Sequence, residues 1–440
     1  MSATQAAKTE IRFKALAVRR QTIHLSPITI KPKGETMRSF FAGLALVGYV
    51  LTTGIAAQQK LSTPSTGLQL VPITACRLVD TRQPDGPFGG PPIQGGTSRS
   101  FPVPQGGCGI PSNAGAYLLN VSVIPLPRLG YLTVYPTGEN PGVTTTMNSP
   151  DGRIKTNAAI VPAGTEGSIS VYASDTTNVV IDMFGYFAPP SGSTLMYFPL
   201  TPCRVIDTRG PDGPLGGPYL LPLIERDFPV LLSPCIPQGA SAVAYSFNIT
   251  ALPRQSGTDF VKVWPEGQPQ PLPGTVEDGN GIPVSNAAIV PAGTGGGIAA
   301  VAGNSTDLVA DITGYFAPAA PGGLSLNAVP PCRVLDTRHQ ALGFIGELTV
   351  PVLSPPRLPC VTARNAQAFV FSATAYPQGP LEYLTLWADA SPQPNTWTLN
   401  AADGAVASNM AIVSSTDGSI DVYAPSRTQM TLDVMTYFAP

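Results

Sequence analysis

Charged side chains and histidines are scarce in this sequence. Asp, Glu, Lys and Arg make up 12% of the 440 residues, and the two histidines are His24 and His339. With so little charge, 45 glycines and 49 prolines, the chain does not form long helices or coiled coils. His24 precedes a predicted cleavage site and His339 occurs in only one of three repeats, which excludes a repeated Ser-His-Asp or Cys-His catalytic group.

Apolar residues are plentiful enough for a packed core, at 43% of the chain. The length predicts about three domains at roughly 150 residues each. Together with the excess of glycine and proline, these features favour an all-β, turn-rich protein.

Charge is unevenly distributed along the chain. Residues 1–57 hold eight basic and two acidic side chains, so the remainder has 17 basic and 25 acidic residues, a net charge of −8. Nucleic acid is therefore not an expected partner, because phosphate binding requires a basic surface.

The N-terminal region has the layout of a secretory signal peptide. Met37 and Arg38 precede an apolar run from 40 to 51 and a small-residue exit that ends near Ala57. Met37 is the expected start, with 1–57 comprising an N-terminal extension and the signal peptide. The alternative is an uncleaved membrane anchor, since the apolar stretch has about the minimum length for a spanning helix. Either way, the rest of the chain is expected to be soluble, secreted or on the cell surface, without other membrane contact.

Three blocks of sequence recur in the same order three times. The opening block is Cys76–Arg82, repeated as Cys203–Arg209 and Cys332–Arg338. A middle block centres on Asn157-Ala158, Asn286-Ala287 and Asn409-Met410, and the closing block ends in Tyr-Phe-Ala-Pro at 189, 318 and 440. These blocks predict three β-modules at 69–189, 196–318 and 325–440, separated by short Pro/Gly/Ser-rich linkers.

The six cysteines fall two per repeat. The spacing predicts one disulfide inside each module, namely Cys76–Cys108, Cys203–Cys235 and Cys332–Cys360. The alternative of two-cysteine metal sites lacks the histidines and CxxC spacing of zinc sites, so no metal and no cofactor are expected.

The first repeat contains eight short strand-like runs separated by turn signals, and no segment has helical periodicity. We therefore predict three tandem antiparallel β-sandwich modules of jelly-roll-like form. One run carries two aromatic residues four positions apart on one face, on either side of a polar residue, where they are candidates for stacking on sugar rings. The favoured interpretation is instead a cross-strand aromatic pair that stabilises the sheet. The candidate ligand-binding pairs are Tyr131/Tyr135, Phe260/Trp264 and Tyr383/Trp387.

The opening block combines aspartate and arginine two residues apart. In an extended strand Cys76, Leu78, Asp80 and Arg82 share one face, predicted to be inward, so the buried aspartate needs a partner and Arg82 is the nearest candidate. The predicted structural Asp-Arg motif is Asp80/Arg82, Asp207/Arg209 and Asp336/Arg338. A calcium site or a catalytic carboxylate pair with the closing-block aspartates is less favoured, because neither block holds more than one acid.

The repeats resemble a domain of secreted and cell-surface bacterial proteins, especially actinobacterial and acidobacterial ones. That domain opens with an R-[LV]-[LVI]-D-T-R motif, here from Arg77 to Arg82, and closes with V-D-V-x-G-Y-F. The third repeat departs at Thr436, where the family has glycine. The resemblance implies an extracellular β-domain with no established activity.

These observations predict a secreted or cell-surface array of β-modules, without catalytic activity, that acts in envelope architecture or adhesion. Expected partners are cell-envelope or extracellular polysaccharides or surface proteins. A carbohydrate-binding array that uses the strand aromatics is the alternative, and a hydrolase that uses the repeated aspartates is a remote one.

Overall fold

The computed structural model describes residues 67–255, 260–277, 280–339, 342–353 and 364–440. Within these ranges the chain forms 23 strands, joined in antiparallel pairs, and four single-turn 3-10 helices. The predicted all-β antiparallel class is confirmed. The predicted signal peptide at 1–57, with its start at Met37, lies outside the described residues.

Two four-stranded sheets make up the first repeat. Its strands are β1 (Gln69–Asp80), β2 (Thr97–Pro102), β3 (Ala116–Pro125), β4 (Leu129–Pro136), β5 (Met147–Ser149), β6 (Lys155–Pro162), β7 (Ser168–Ala173) and β8 (Thr177–Ala188). The inner sheet has the order β1-β8-β3-β6 and the outer sheet β2-β7-β4-β5. The 3-10 turns are Val103–Gln105 and Thr165–Gly167.

The second repeat has the same strand order. Its strands are β9 (Met196–Asp207), β10 (Arg226–Phe228), β11 (Ala244–Pro253), β12 (Phe260–Pro265), β13 (Val276–Glu277), β14 (Val284–Pro291), β15 (Ile298–Ala302) and β16 (Thr306–Ala317), with 3-10 turns at Val230–Leu232 and Thr294–Gly296. The inner sheet is β9-β16-β11-β14 and the outer sheet β10-β15-β12-β13.

In the third repeat a single long strand belongs to both sheets. The strands are β17 (Ser325–Asp336), β18 (Phe344–Pro351), β19 (Ala368–Pro377), β20 (Leu381–Ala388), β21 (Leu399–Ala401), β22 (Ala407–Ser414) and β23 (Ser419–Ala439). β23 pairs with β17 and β19 on one side of the repeat and with β18 and β20 on the other. In the other repeats, two separate strands take the place of β23: β7 and β8 in the first repeat, and β15 and β16 in the second.

Each repeat has a core between its inner and outer sheets. In the first repeat Val121 and Ile181 from the inner sheet meet Val134 and Val171 from the outer sheet, and all four are fully buried. Corresponding clusters fill the second and third repeats. Apolar residues alternate along these strands, so one face of each sheet supplies this core.

A further core is shared by all three repeats. It is formed by the opposite faces of the three inner sheets, where Leu118, Ile289 and Val370 belong to one cluster. At its centre are the phenylalanines of the closing blocks, Phe187, Phe316 and Phe438. Their ring centroids are 6.2 to 6.4 Å apart, so the three rings form a nearly equilateral triangle.

Residues at the starts of β1, β9 and β17, and the residues just before them, close the same core with backbone hydrogen bonds. Each partner both donates and accepts in the pairs Leu68–Leu326, Leu70–Leu195 and Tyr197–Leu324, at 2.7 to 2.9 Å. Tyr197 lies over the second repeat's closing glycine, Gly314, where a Cβ atom would be 2.4 Å from the tyrosine ring. The third repeat has Leu326 at the position of Tyr197, and Thr436 is fully buried there.

Two of the predicted disulfides are present. Cys76–Cys108 and Cys203–Cys235 join Cα atoms 5.7 and 5.8 Å apart, within the range that a disulfide spans. The third pairing stays a prediction, because Cys360 lies outside the described residues.

The predicted simple alternation along the opening block is wrong. Leu78 and Val79 are adjacent in the sequence, yet both are buried in the core of the first repeat. The pairing of β1 with β8 shifts register between Arg77 and Val79. This bulge changes which face each residue occupies, and a bulge leaves no clear trace in the apolar pattern.

Candidate functional site

The opening and closing blocks meet in a cluster of four charged residues in the first repeat. Arg82 donates two hydrogen bonds to Asp80, from Nε to Oδ1 and from a terminal nitrogen to Oδ2, both 2.8 Å long. The Arg82 backbone amide also donates to Asp80 Oδ1, at 3.1 Å, because the chain turns directly after β1. Arg77 forms an ion pair with Asp182 of β8 and lies 3.5 Å from Asp80 Oδ2. We call Arg77, Asp80, Arg82 and Asp182 the motif cluster.

The other two repeats contain the same cluster. Arg209 and Arg338 bind Asp207 and Asp336 through paired hydrogen bonds of 2.6 to 2.9 Å. Arg204 binds Asp311 at 2.8 and 3.1 Å, and Arg333 binds Asp433 at 2.8 and 3.0 Å. The predicted Asp-Arg motif residues therefore lie together, each joined by a closing-block aspartate and its arginine.

The electrostatics of the cluster differ between its two carboxylates. Hydrogen bonds from Arg82 and Arg338 lower the pKa of Asp80 and of Asp336 to about 2. Burial raises the pKa of Asp182, Asp311 and Asp433, opposed by the arginine that binds each one. Two guanidinium groups balance two carboxylates in each cluster, an arrangement that holds charge in place and leaves no carboxylate without a cation.

The corresponding cluster of the second repeat contacts the third repeat, and that of the third repeat contacts the first. Asp311 Oδ2 accepts a 2.8 Å hydrogen bond from the Trp397 amide, and Asp433 Oδ2 accepts one of 2.9 Å from the Thr145 amide. In the second repeat, Gly274 takes the position of Thr145 and Trp397. The Glu277 carboxylate occupies the space where a Cβ atom at position 274 would lie. Burial and the nearby Asp182 carboxylate raise the pKa of Glu277 to about 7.

A buried asparagine joins each pair of repeats. The Ala158 amide donates to Asn286 Oδ1 at 2.8 Å, the Ala287 amide to Asn409 Oδ1 at 2.9 Å and the Met410 amide to Asn157 Oδ1 at 2.8 Å. These bonds run from the first repeat to the second, from the second to the third and from the third back to the first. The three asparagine side chains are at most 1% exposed.

Trp397 extends the contact between the second and third repeats. The guanidinium carbons of Arg204 and Arg209 lie 4.6 and 4.8 Å from the centre of its ring system. Tyr383 stacks on Trp397 at 6.2 Å, and Tyr423 stacks on Tyr383 at 6.1 Å. All three rings are half-buried.

The turn after the opening block is organised around an arginine in the first two repeats. Arg99 donates to the carbonyls of Gly86, Pro87 and Pro91, and its guanidinium lies 4.9 Å from the centre of the Phe101 ring. Arg226 contacts four carbonyls of the corresponding turn in the second repeat. The repeated Pro-Asp-Gly-Pro sequence therefore surrounds a structural guanidinium.

The candidate sugar-binding pairs are not exposed as pairs. Tyr135, Trp264 and Trp387 are 6%, 3% and 1% exposed. Each donates a hydrogen bond, Tyr135 to the Ser98 hydroxyl and the indoles to the carbonyls of Gln268 and Ser391. In each repeat, the loop that follows the aromatic strand covers the strand face that sequence alternation predicts to be exposed to solvent. Tyr131, Phe260 and Tyr383, the other members of the pairs, are half-buried.

Two sets of residues lie at the contacts between repeats, and the sequence patterns assigned no function to either set. They are the closing-block phenylalanines and the middle-block asparagines. Their recurrence in every copy of a block was the available signal, because a polar residue repeated within an apolar strand requires hydrogen-bond partners. Within the described ranges no group of three or more His, Cys, Asp or Glu residues could hold a metal ion.

Comparison of the chain with protein-family models and with curated proteins finds no match.

Proposed function

We propose that this chain is a secreted or cell-surface structural protein without catalytic activity, in which the three repeats act as one rigid body in envelope architecture or adhesion. The observation that carries the proposal is the cyclic set of contacts between repeats. Asparagine hydrogen bonds join each repeat to the next, and a shared core lies between them. A chain built this way resists separation of its parts better than modules on flexible linkers.

The state of the repeated acids supports a non-catalytic role. A general acid or base works best with a pKa near the operating pH and with access to substrate. Asp80 and Asp336 have pKa values of about 2 and are bound by arginine. Asp311 and Asp433 accept backbone hydrogen bonds from a neighbouring repeat. The acids that would serve a hydrolase are thus engaged in holding the fold.

The two disulfides fit an extracytoplasmic location, because disulfides persist in oxidising compartments. The predicted signal peptide supports the same location. No helix in the described ranges is long and apolar enough to span a membrane.

A deletion strain tests this function. Loss of the gene should impair surface attachment or envelope integrity, and the full chain should restore it. A variant with Asn157→Ala, Asn286→Ala and Asn409→Ala should restore much less when secreted at the same level, whereas the exposed Asn113→Ala should restore fully. Full restoration by the triple variant would contradict a rigid-body role.

A second variant, with Asp80→Asn, Asp207→Asn and Asp336→Asn together, tests the non-catalytic assignment. If the natural protein hydrolyses an envelope polymer and this variant, with its fold retained, does not, the assignment is contradicted.

Carbohydrate binding is the second candidate function. The half-buried, stacked rings of Tyr423, Tyr383 and Trp397 favour it, beside the guanidinium groups of Arg204 and Arg209. Aromatic faces suit stacking against the apolar face of a sugar ring. Tryptophan fluorescence titrated with a panel of neutral and acidic polysaccharides tests it. A shift that Trp397→Ala removes would support binding there, and no shift with any polysaccharide would count against it.

A further inference from the structure

A cavity of about 360 Å³ lies between the first and second repeats. One wall is a bulge in β1, where the pairing passes from Pro72 opposite Gly185 to Cys76 opposite Met183. The two additional residues on β1 push this stretch out of the sheet, toward the second repeat. The cavity is therefore a product of the contact between repeats.

The second repeat supplies the opposite wall. It consists of the strand end at Trp264 and Pro265 and of the following loop with Pro269 and Pro271. Proline has a fixed φ angle, so this wall has little freedom to collapse. A cavity with preformed walls binds a ligand without the entropy loss of ordering a loop.

The lining has no charged side chain. Its polar side chains are Thr74, Gln268 and Thr294, and the Thr294 hydroxyl already donates to the Glu266 carbonyl at 3.3 Å. The Trp264 indole N–H donates to the Gln268 carbonyl at 2.9 Å, so it needs no partner from a ligand. A charged or strongly hydrated ligand would lose water here and meet no opposite charge, with only the Thr74 and Gln268 side chains to replace its hydrogen bonds.

We propose that this cavity binds an uncharged, mostly apolar small molecule, such as an alkyl or aromatic compound. The volume is in the range of small-molecule sites. Binding would be additional to the structural role and does not depend on it. The neutral, apolar lining selects this chemistry over saccharides and over anions.

The neutral dye Nile red tests the site on the full chain. We expect saturable binding of one dye per chain, displaced by 1-decanol and unaffected by maltotriose. Ala75 of the first repeat and Ala292 of the second line opposite walls of the cavity. Ala292→Phe and Ala75→Phe each place a ring in the cavity and should weaken dye binding at least tenfold. Ala163→Phe is the matched control, because Ala163 occupies in the first repeat the position of Ala292 and should leave binding unchanged.

Retained binding in both cavity variants would overturn the proposal. Absence of saturable binding, displacement by maltotriose or an equal loss in Ala163→Phe would do the same. Urea unfolding of each variant shows whether the fold is intact. Using two cavity variants on opposite walls keeps the test decisive if one of them unfolds.

Discussion

The backbone amide of Thr145 in the first repeat donates a 2.9 Å hydrogen bond to Asp433 in the last strand of the third. The two residues are 288 positions apart. Arg333 binds the same aspartate from within the third repeat. The contact therefore links the charged motif of one repeat to the backbone of another and completes the cycle of contacts.

Removal of one of the asparagines that join the repeats should destabilise all three repeats. Asn286→Ala leaves the buried Ala158 amide without its acceptor and removes the hydrogen bonds that Asn286 Nδ2 donates to the Thr275 carbonyl and to Asn120 Oδ1. We expect a loss of about 2 to 4 kcal/mol in the free energy of unfolding. Urea unfolding measures it, with exposed Asn113→Ala as the control. A loss no larger than that of the control would show that the asparagine bonds contribute little.

The shared core should make the three repeats unfold together. Phe316→Ala removes one of the three central rings, and we expect a cost of about 3 to 5 kcal/mol with a single transition retained. Phe198→Ala removes a half-buried ring that stacks on Tyr315 and should cost much less. Circular dichroism and tryptophan fluorescence should give coincident urea transitions. Separate transitions for individual repeats would contradict a shared core.

The pH dependence of stability should reveal Glu277. Its pKa is raised from 4.5 in the unfolded chain to about 7 in the folded protein, so the folded state holds its proton longer. The contribution of Glu277 to stability is therefore fully present below pH 4.5, is lost as pH rises to about 7 and is constant above that, with a total loss on the order of 3 kcal/mol.

Glu277→Gln should remove this decline, so that the difference in unfolding free energy between variant and natural protein grows from pH 4.5 to 7 and then levels off. Exposed Glu382→Gln is the control. A difference independent of pH would show that Glu277 ionises normally.

Each disulfide should contribute to stability, and the third should exist. Replacing Cys76 and Cys108 together by serine opens a loop of 32 residues, which should cost about 3 to 4 kcal/mol. The intact mass of the exported, unreduced protein should be lower than that of the reduced protein by six hydrogens, and peptide mapping should recover Cys332 linked to Cys360. Free thiols at either cysteine would contradict the third bridge.

Much of the fold within one repeat was predictable. The eight strand-like runs of the first repeat each overlap a strand of the structure, because turn residues and apolar alternation act over a few neighbouring residues. The bulge at Arg77 was not predictable, since it depends on how β1 pairs with β8. Burial of Tyr135 was missed for a similar reason, because the covering contacts come from a loop and from Ser98 on another strand.

The sequence alone determined the β class, the threefold repetition of its blocks and two of the cysteine pairs, all of which depend on residue type and spacing. Only the tertiary structure decided what covers the second face of the inner sheets. Leu118 and Leu119 are adjacent in β3 and both buried, one in the shared core and the other in the core of its own repeat. Alternation assigns two neighbours to opposite faces, but it does not identify the surface that each face meets. That surface belongs to the other repeats, and only folding brings them together.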